Sequence, residues 1–124
     1  MEEALRYDSP VQATARRTLE PVEIGGFTIP KDTHVVVLIG ACNRDPARFA
    51  DPDRFDITRT ENDHLAFGGG VHFCLGANLA RVEAATAIGS LIKNFPNIKL
   101  AADNVEYRDM FNLRGLKALP TLLR

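Results

Sequence analysis

Residues 67–76 have the sequence FGGGVHFCLG, in which a run of glycines leads to His72 and Cys74. A long helix is predicted to follow, because apolar side chains from Ala80 to Phe95 recur at the spacing of a helical stripe. Cys74 therefore lies at the predicted entrance of that helix. There, unpaired N–H groups and the helix dipole stabilise a thiolate by about 0.3–2 kcal/mol. Cys74 is thus a candidate ligand or reactive thiol, although a lone cysteine is also commonly a small buried hydrophobe.

The spacing of the glycine run limits the other chemistries that it can support. A dinucleotide-binding fingerprint requires a glycine where Phe73 stands, and a phosphate-binding loop requires a lysine followed by serine or threonine near the helix start. A structural zinc site drawn from Cys42, Cys74 and His72 lacks the paired Cys-x-x-Cys spacing. A cysteine nucleophile activated by His72 is conceivable, but no third orienting group is identifiable.

Length and composition indicate one ordinary globular domain. The chain has 124 residues, with 15 lysines and arginines against 16 acidic residues, so it offers no basic field for nucleic acid. Two cysteines are too few for a disulfide framework, and the acids Glu2 and Glu3 stand where a signal peptide is basic. Charged residues interrupt the apolar stretch 75–95, which excludes a membrane span. We expect a cytoplasmic protein without nucleic-acid or membrane partners.

The remaining pattern predicts an α+β fold of short elements beside the long helix. Residues 2–7 form a short helix without a capping residue, and alternation about a Gly-Gly pair predicts a β-hairpin over 22–29. The unbroken apolar run 35–39 predicts a strand buried on both faces. Proline and charge predict a long ordered loop or short helical turns over 41–63, and short strands are expected from residue 96 onward.

The long helix is apolar around much of its circumference. Leu75, Leu79 and Val82 add apolar surface away from the main stripe. Such a helix is buried from several sides, and this chain predicts few elements to bury it. We therefore expect residues 1–124 to be a single truncated domain from a larger protein.

Residues 67–76, continued by Leu79-Ala80-Arg81, resemble the cysteine-ligand loop of the cytochrome P450 family of haem-thiolate monooxygenases, in its bacterial form. Further landmarks of that family's C-terminal part occur in the right order: the Glu-x-x-Arg of residues 3–6, the NRDP of 43–46 and the PDRF of 52–55. The resemblance covers essentially the whole chain. It implies the C-terminal part of the mainly helical cytochrome P450 fold, with the N-terminal part, its distal helix and its proton relay absent.

The resemblance also assigns residues to a haem b cofactor. Cys74 would be the axial thiolate on the haem iron, and Phe67 would pack beside it. Gly68 and Gly76 would also lie at the cofactor, because a residue without a Cβ admits a flat ligand. His72 and Arg16 would reach the haem propionates through charge-assisted hydrogen bonds.

Two further sets of residues follow from the resemblance. Glu3, Arg6 and Arg54 would form a buried ion network beneath the haem, whereas the spacing alone favours an exposed Glu3–Arg6 pair worth about 0.2–0.5 kcal/mol. Arg48 and Arg59 are expected on the surface. The candidate walls of a substrate pocket come from two segments, residues 11–14 and 111–113, and comprise Val11, Ala13, Asn112 and Leu113.

The function that the resemblance implies is the insertion of one oxygen atom from dioxygen into a small apolar molecule, with electrons from a ferredoxin-type donor. For the 124 residues alone we favour a non-catalytic remnant without stable haem binding, because the expected catalytic residues have no counterpart here. A thiol hydrolase built on Cys74 and His72 is a third, distant alternative.

Overall fold

The structure, a computed structural model, describes residues 1–123 as short helices and strands around one long helix. The helices are α1 (Glu2–Tyr7), α2 (Ile39–Cys42) and α3 (Ala77–Asn94), with a short 3₁₀ helix at Gly70–His72. The strands are β1 (Thr14–Arg17), β2 (Val22–Ile24), β3 (Phe27–Ile29), β4 (His34–Val37), β5 (Lys99–Leu100) and β6 (Thr121–Leu122). This arrangement of helices and small sheets confirms the predicted α+β class.

The first helix, α1, occupies the predicted residues and begins without a side-chain cap. Glu2 and Glu3 lie in its first turn and Arg6 in its last. The acidic side chains are therefore near the positive end of the helix dipole and the basic one near the negative end, which stabilises the helix. A helix of six residues has little stability of its own in water. Its position therefore depends on the tertiary contacts of its two buried residues, Glu3 and Arg6.

The strands form three separate antiparallel pairs, β1–β4, β2–β3 and β5–β6. The predicted hairpin is the β2–β3 pair. Gly25 and Gly26 connect its strands with φ values of 59° and 82°, the positive angles that a type I′ turn requires at both central positions. In the β1–β4 pair, Thr14 faces Val37 and Arg16 faces Val35.

Strand β4 does not have the predicted burial on both faces. It ends at Val37, before α2 starts at Ile39, and every second residue along it is exposed, including Val36 at 52%. The reason is its position: β4 pairs with β1 alone, and one face of this two-stranded sheet is left uncovered by residues 1–123.

The chain from residue 43 to residue 69 contains neither helix nor strand, in agreement with the predicted loop. Hydrogen-bonded turns order it, such as the one in which the Phe49 N–H donates to the Asp45 carbonyl at 2.9 Å. This loop also contributes to the small apolar core, whose buried members are Ala13, Ile39, Phe49, Ala66 and Ala77.

Helix α3 contributes little to that core beyond its first residue. Only Ala77 is buried, whereas Leu79, Val82 and Ile88 remain more than half exposed. The apolar circumference that predicted burial from several sides is thus largely open within residues 1–123. None of the helices in this range combines the length and apolarity needed to cross a membrane.

Candidate functional site

Cys74 lies in a tight loop that main-chain hydrogen bonds hold closed. Its N–H donates to the Phe67 carbonyl at 2.8 Å, which joins the two ends of the glycine segment. Inside this loop, the Gly68 N–H donates to the Leu65 carbonyl at 2.8 Å and the Phe73 N–H to the Gly70 carbonyl at 3.1 Å. Helix α3 then begins at Ala77, so Cys74 stands just before the helix, as predicted.

Two glycines of the loop adopt backbone angles that other residues rarely tolerate. Gly68 has φ +72° and Gly70 has φ +58°, both in the left-handed region. At Gly68 a Cβ would also lie 3.2 Å from the His72 carbonyl oxygen, whereas nothing lies within 4 Å at Gly70. Gly68 is thus required for both conformation and space. A Cβ at Gly76 would lie 3.9 Å from the Cys74 Sγ, an ordinary contact.

A cavity of about 320 Å³ opens beside Cys74. Five of the six predicted cofactor-binding residues line it, and Gly76 does not: the five are Cys74, His72, Arg16, Phe67 and Gly68. The remaining walls are mostly apolar, from Leu5, Pro10, Val11, Thr14, Ile39 and Ala66. Because Cys74 is exposed to this cavity, it is not a buried hydrophobe.

The two basic side chains at the cavity retain hydrogen-bonding capacity. The Nη1 of Arg16 donates to the Thr14 hydroxyl at 3.1 Å and to the Ala15 carbonyl at 2.8 Å. Its Nε and Nη2, and the imidazole of His72, make no hydrogen bond to any of residues 1–123. A guanidinium and an imidazole at the wall of an apolar cavity are suited to binding carboxylates of a ligand.

The zinc and hydrolase alternatives find no support in this geometry. Within the described part of the chain, no three His, Cys, Asp or Glu side chains are grouped to hold a metal ion. In the same described residues, the imidazole of His72 makes no hydrogen bond to Cys74. A cysteine nucleophile needs its base within hydrogen-bonding distance.

The ring of Phe67 packs among side chains from three segments. The guanidinium carbon of Arg81 lies 4.7 Å from its centroid, and the rings of His64 and Phe73 lie at 6.1 and 6.4 Å. Arg81 on α3 also donates to Glu2 on α1, with Nη2 2.8 Å from Oε2. This hydrogen bond lowers the pKa of Glu2 and raises the pKa of Arg81. Helices α1 and α3 are thereby tied together beside Phe67.

A buried ion pair lies at the centre of α1. Arg6 donates to Glu3 through Nε at 2.7 Å and Nη2 at 2.8 Å, and both side chains are buried. The other three donors of the guanidinium reach main-chain carbonyls of Asn43, Pro52 and Arg54 at 2.8, 2.8 and 3.1 Å. All five N–H groups of Arg6 are therefore satisfied, as a buried charge requires.

The Glu3 carboxylate is strongly stabilised in its ionised form. The hydrogen bonds from Arg6 lower its pKa to about 2 against the opposing effect of burial, and the Asp56 N–H, which donates at 2.9 Å, lowers it further. This places the pair among buried ion pairs and not among the exposed ones that the spacing alone favours.

The prediction that the Arg54 side chain is the third member of this buried network is wrong. Arg54 contributes its carbonyl, but its guanidinium is 70% exposed and lies 3.7 Å from Asp56. The guanidinium near Glu3 belongs to Arg59, whose Nε is 3.4 Å from Oε2 and whose side chain is only 12% exposed. Arg59 was expected on the surface. It is drawn inward because its two Nη atoms also donate to the carbonyls of Ala50 and Asp51 at 2.8 and 3.2 Å.

The four candidate substrate-pocket residues do not line one common cavity in the structure. Val11 lines the Cys74 cavity, whereas Ala13 and Leu113 line a second cavity of about 410 Å³. Asn112 lines neither, although its carbonyl accepts from the Gln12 N–H at 2.9 Å. The two predicted segments nonetheless meet, because Val11 and Leu113 form an antiparallel bridge.

Two polar residues with structural roles were missed from the sequence. Asn43 is completely buried, and the side chain of His64 is 3% exposed and hydrogen-bonds to Glu2 at 3.1 Å. Asn43 begins the NRDP landmark of the resemblance, but no local signal marks the burial of either residue, since asparagine and histidine in a polar loop are usually turn or surface residues.

Comparison with known proteins identifies the family. The family model described as Cytochrome P450 matches residues 1–120. The chain belongs to the cytochrome P450 family. The predicted resemblance is thereby confirmed, together with the cytochrome P450 fold.

Individual cytochrome P450 relatives align over nearly all of the chain. The biotin biosynthesis cytochrome P450 of Bacillus subtilis (strain 168) is 50% identical over 120 residues, which are 97% of this chain and 30% of that protein. Cytochrome P450 107B1 of Saccharopolyspora erythraea is 51% identical over 123 residues, again 97% of this chain and 30% of the relative. The chain therefore spans about 30% of the length of these relatives.

Solved cytochrome P450 structures share the fold. P450BioI, in complex with an acyl carrier protein ligated with hexadec-9Z-enoic acid, matches with a TM-score of 0.96 and 50% identity, over 99% of this chain and 32% of that one. CYP109E1 from Bacillus megaterium, in complex with testosterone, matches with a TM-score of 0.95 and 41% identity, over 98% and 34%.

Proposed function

We propose that this chain forms the cysteine-ligand side of the haem site in a cytochrome P450 monooxygenase. The observation that carries the proposal is the cavity of about 320 Å³ where Cys74, Arg16 and His72 meet on mostly apolar walls. Membership of the cytochrome P450 family supports the same assignment.

The lining of this cavity fits haem b. An exposed thiol supplies a sulfur ligand for iron, and apolar walls suit the porphyrin face. Arg16 and His72 supply donors for the two propionates. Gly68, where a Cβ would meet the His72 carbonyl at 3.2 Å, keeps the loop compact at the cavity wall.

The chain's own residues would hold and shield the cofactor. When bound, the haem supplies the oxygen chemistry of this family, for which a cysteine thiolate ligand favours O–O cleavage. Cys74 would supply the sulfur ligand, and the hydrogen bond from its N–H to the Phe67 carbonyl at 2.8 Å holds its main chain in place. The Phe67 ring lines the same cavity as Cys74 and would shield one side of that sulfur from water. The Glu3–Arg6 pair holds the residue 43–54 segment against α1.

For the complete enzyme we propose a small apolar substrate and a ferredoxin-type electron donor. The apolar wall at Val11 supports the first. Structures of relatives contain an acyl carrier protein with a fatty acyl group in one case and testosterone in another, both largely apolar ligands. The cytoplasmic location stays a prediction.

The second candidate function applies to the 124 residues on their own. In that case the chain is a non-catalytic remnant that does not bind haem stably. The exposure of Val71 and Leu75 beside Cys74, at 98% and 102%, favours it, because much apolar surface near the site lacks cover within residues 1–123.

Haem reconstitution of the purified chain tests both candidates. Haem is added, reduced and exposed to carbon monoxide, and the absorption spectrum is recorded for the wild type, Cys74→Ala and the matched control Cys42→Ala. The first candidate predicts the thiolate-type spectrum in the wild type and in Cys42→Ala, and its loss in Cys74→Ala. An identical spectrum in Cys74→Ala would overturn the ligand assignment. Absence of haem uptake would favour the second candidate, and haem-free ester hydrolysis lost in Cys74→Ala would favour the hydrolase.

A further inference from the structure

Asn43 is a completely buried polar side chain in the loop after α2. A buried amide is costly unless its donors and acceptor find partners. Its Oδ1 accepts from the Leu65 N–H at 2.7 Å, and its Nδ2 donates to the Ser9 Oγ at 2.7 Å. Its main-chain carbonyl accepts from Arg6 at 2.8 Å. Asn43 therefore connects three places: Arg6 in α1, Ser9 in the segment after α1, and Leu65 just before the cysteine loop.

The directions of these hydrogen bonds are determined by the partners. The Leu65 N–H can only donate, so the oxygen of the Asn43 amide must face it. The Ser9 hydroxyl donates to the Leu5 carbonyl at 2.7 Å, so it accepts from the amide nitrogen of Asn43. A reversed amide would leave two donors facing each other at Leu65, and only one orientation satisfies the site.

A continuous series of hydrogen bonds leads from Asn43 into the loop that carries Cys74. The Leu65 N–H donates to Asn43. The carbonyl of Leu65 in turn accepts a hydrogen bond from the Gly68 N–H at 2.8 Å, which closes the first turn of the loop. Phe67 lies inside that turn, and its carbonyl accepts from the Cys74 N–H at 2.8 Å. At its other end, the series reaches the buried Glu3–Arg6 pair through the Asn43 carbonyl.

We infer that Asn43 is a positioning residue for Cys74, and that it anchors the cysteine loop to the buried Glu3–Arg6 pair through the Leu65 N–H. The inference rests on the proposed function in treating Cys74 as the haem ligand. The anchoring itself is a property of this chain without cofactor. Segment 64–69 contains no helix or strand, so its amides are protected by such individual bonds and not by a sheet or helix.

Hydrogen exchange of the full chain without haem tests the anchoring. In the wild type, the Leu65 amide should be protected, with the amide of Ala84 in the middle of α3 as the internal reference. Asn43→Leu, of similar size, should speed exchange at Leu65, Gly68 and Cys74 by about tenfold relative to that reference. Ser9→Ala, the matched control, removes only the other partner of the amide and should leave the loop amides protected.

A second variant covers the case in which Asn43→Leu does not fold. Asn43→Asp keeps an oxygen opposite the Leu65 N–H, so the Leu65 amide should stay protected even though the buried charge lowers overall stability. An unprotected Leu65 amide in the wild type would overturn the inference, whether or not α3 is protected. Equal loop exchange in Asn43→Leu and Ser9→Ala would also overturn it.

The haem-loaded chain gives a readout that a merely structural role would not change. With carbon monoxide, Asn43→Leu should show a smaller thiolate-type fraction than Ser9→Ala at equal haem content. If the wild type takes up no haem, the second candidate of the proposed function is favoured, and the exchange experiment still decides the anchoring. If haem binds normally but both variants give the wild-type spectrum, the positioning of Cys74 by Asn43 is refuted and the haem assignment stands.

Discussion

The Glu3 carboxylate accepts two hydrogen bonds from Arg6, 2.7 Å from Nε and 2.8 Å from Nη2, and neither side chain is exposed by more than 4%. The two residues are one turn apart on a six-residue helix that has no side-chain cap. The pair is therefore a tertiary anchor, because Arg6 also reaches three carbonyls in the loop that follows α2.

Arg6→Lys should destabilise the chain by about 3–5 kcal/mol, because an ammonium cannot reproduce the five-donor fork and a buried partner is left incompletely paired. The measurement is the free energy of unfolding in urea, followed by circular dichroism. Arg17→Lys is the matched control, since the Arg17–Asp32 pair is 59% and 53% exposed and should change stability by less than about 1 kcal/mol. Similar losses in both variants would contradict the anchor.

The stability of the chain should fall in acid in a way that depends on Glu3. Hydrogen bonds from Arg6 lower the pKa of Glu3 from 4.5 to about 2 in the folded chain, so ionised Glu3 favours the folded state. This contribution, about 3 kcal/mol, is complete above pH 5 and is lost as the pH falls from 4.5 through 2.

The free energy of unfolding measured between pH 7 and pH 2 checks this pH dependence. Glu3→Gln cannot ionise, so its stability should be lower at pH 7 and its profile should lack the Glu3 contribution to the acid-side slope. If the wild type and Glu3→Gln lose stability in parallel over this interval, the pKa of Glu3 is not lowered.

Two arginines of the same loop should differ in their effect on stability. Arg59→Ala removes a nearly buried guanidinium that donates to the carbonyls of Ala50 and Asp51 and faces Glu3, so we expect a loss of about 2–3 kcal/mol. Arg54→Ala keeps the carbonyl that accepts from Arg6 and removes an exposed guanidinium, so the loss should be less than about 1 kcal/mol. Thermal unfolding of both variants decides the matter; the reverse order would favour Arg54 as the third member.

Substitution of the loop glycines should separate backbone strain from steric contact. Gly70→Ala should cost about 1–2 kcal/mol, since it places alanine at φ +58° in open space. Gly68→Ala should cost more, because its Cβ also meets the His72 carbonyl at 3.2 Å. Gly89→Ala in α3, where the space is open, should instead stabilise by up to about 1 kcal/mol. Unfolding free energies test this order, which equal costs at positions 68 and 70 would refute.

Elements with strong local patterns could be predicted from the sequence. The Gly25-Gly26 pair specifies a turn with positive φ at both central residues, which glycine adopts without strain, and the hairpin follows from it. The placement of Cys74 before α3 likewise depends on neighbouring residues alone. The cavity at Cys74 was predictable only through the family resemblance, because Arg16 reaches it from a distant strand.

Tertiary context decided the features that the sequence did not predict. Arg54 and Arg59 lie in the same charged loop, and which of them turns inward depends on the carbonyls that the folded loop presents. The burial of β4 depends on whether other elements cover it, which an apolar run cannot specify. The role of Asn43 arises from three partners distant along the chain.

Three of the five hydrogen bonds of Arg6 end on main-chain oxygens, and two of these belong to Pro52 and Arg54. A carbonyl is present whatever side chain the residue carries. An outward-facing side chain such as that of Arg54 can therefore be replaced without loss of the hydrogen bond that its carbonyl accepts from Arg6. The outer face of this loop is therefore open to redesign, because new side chains there leave the main-chain acceptors that set its path across α1 in place.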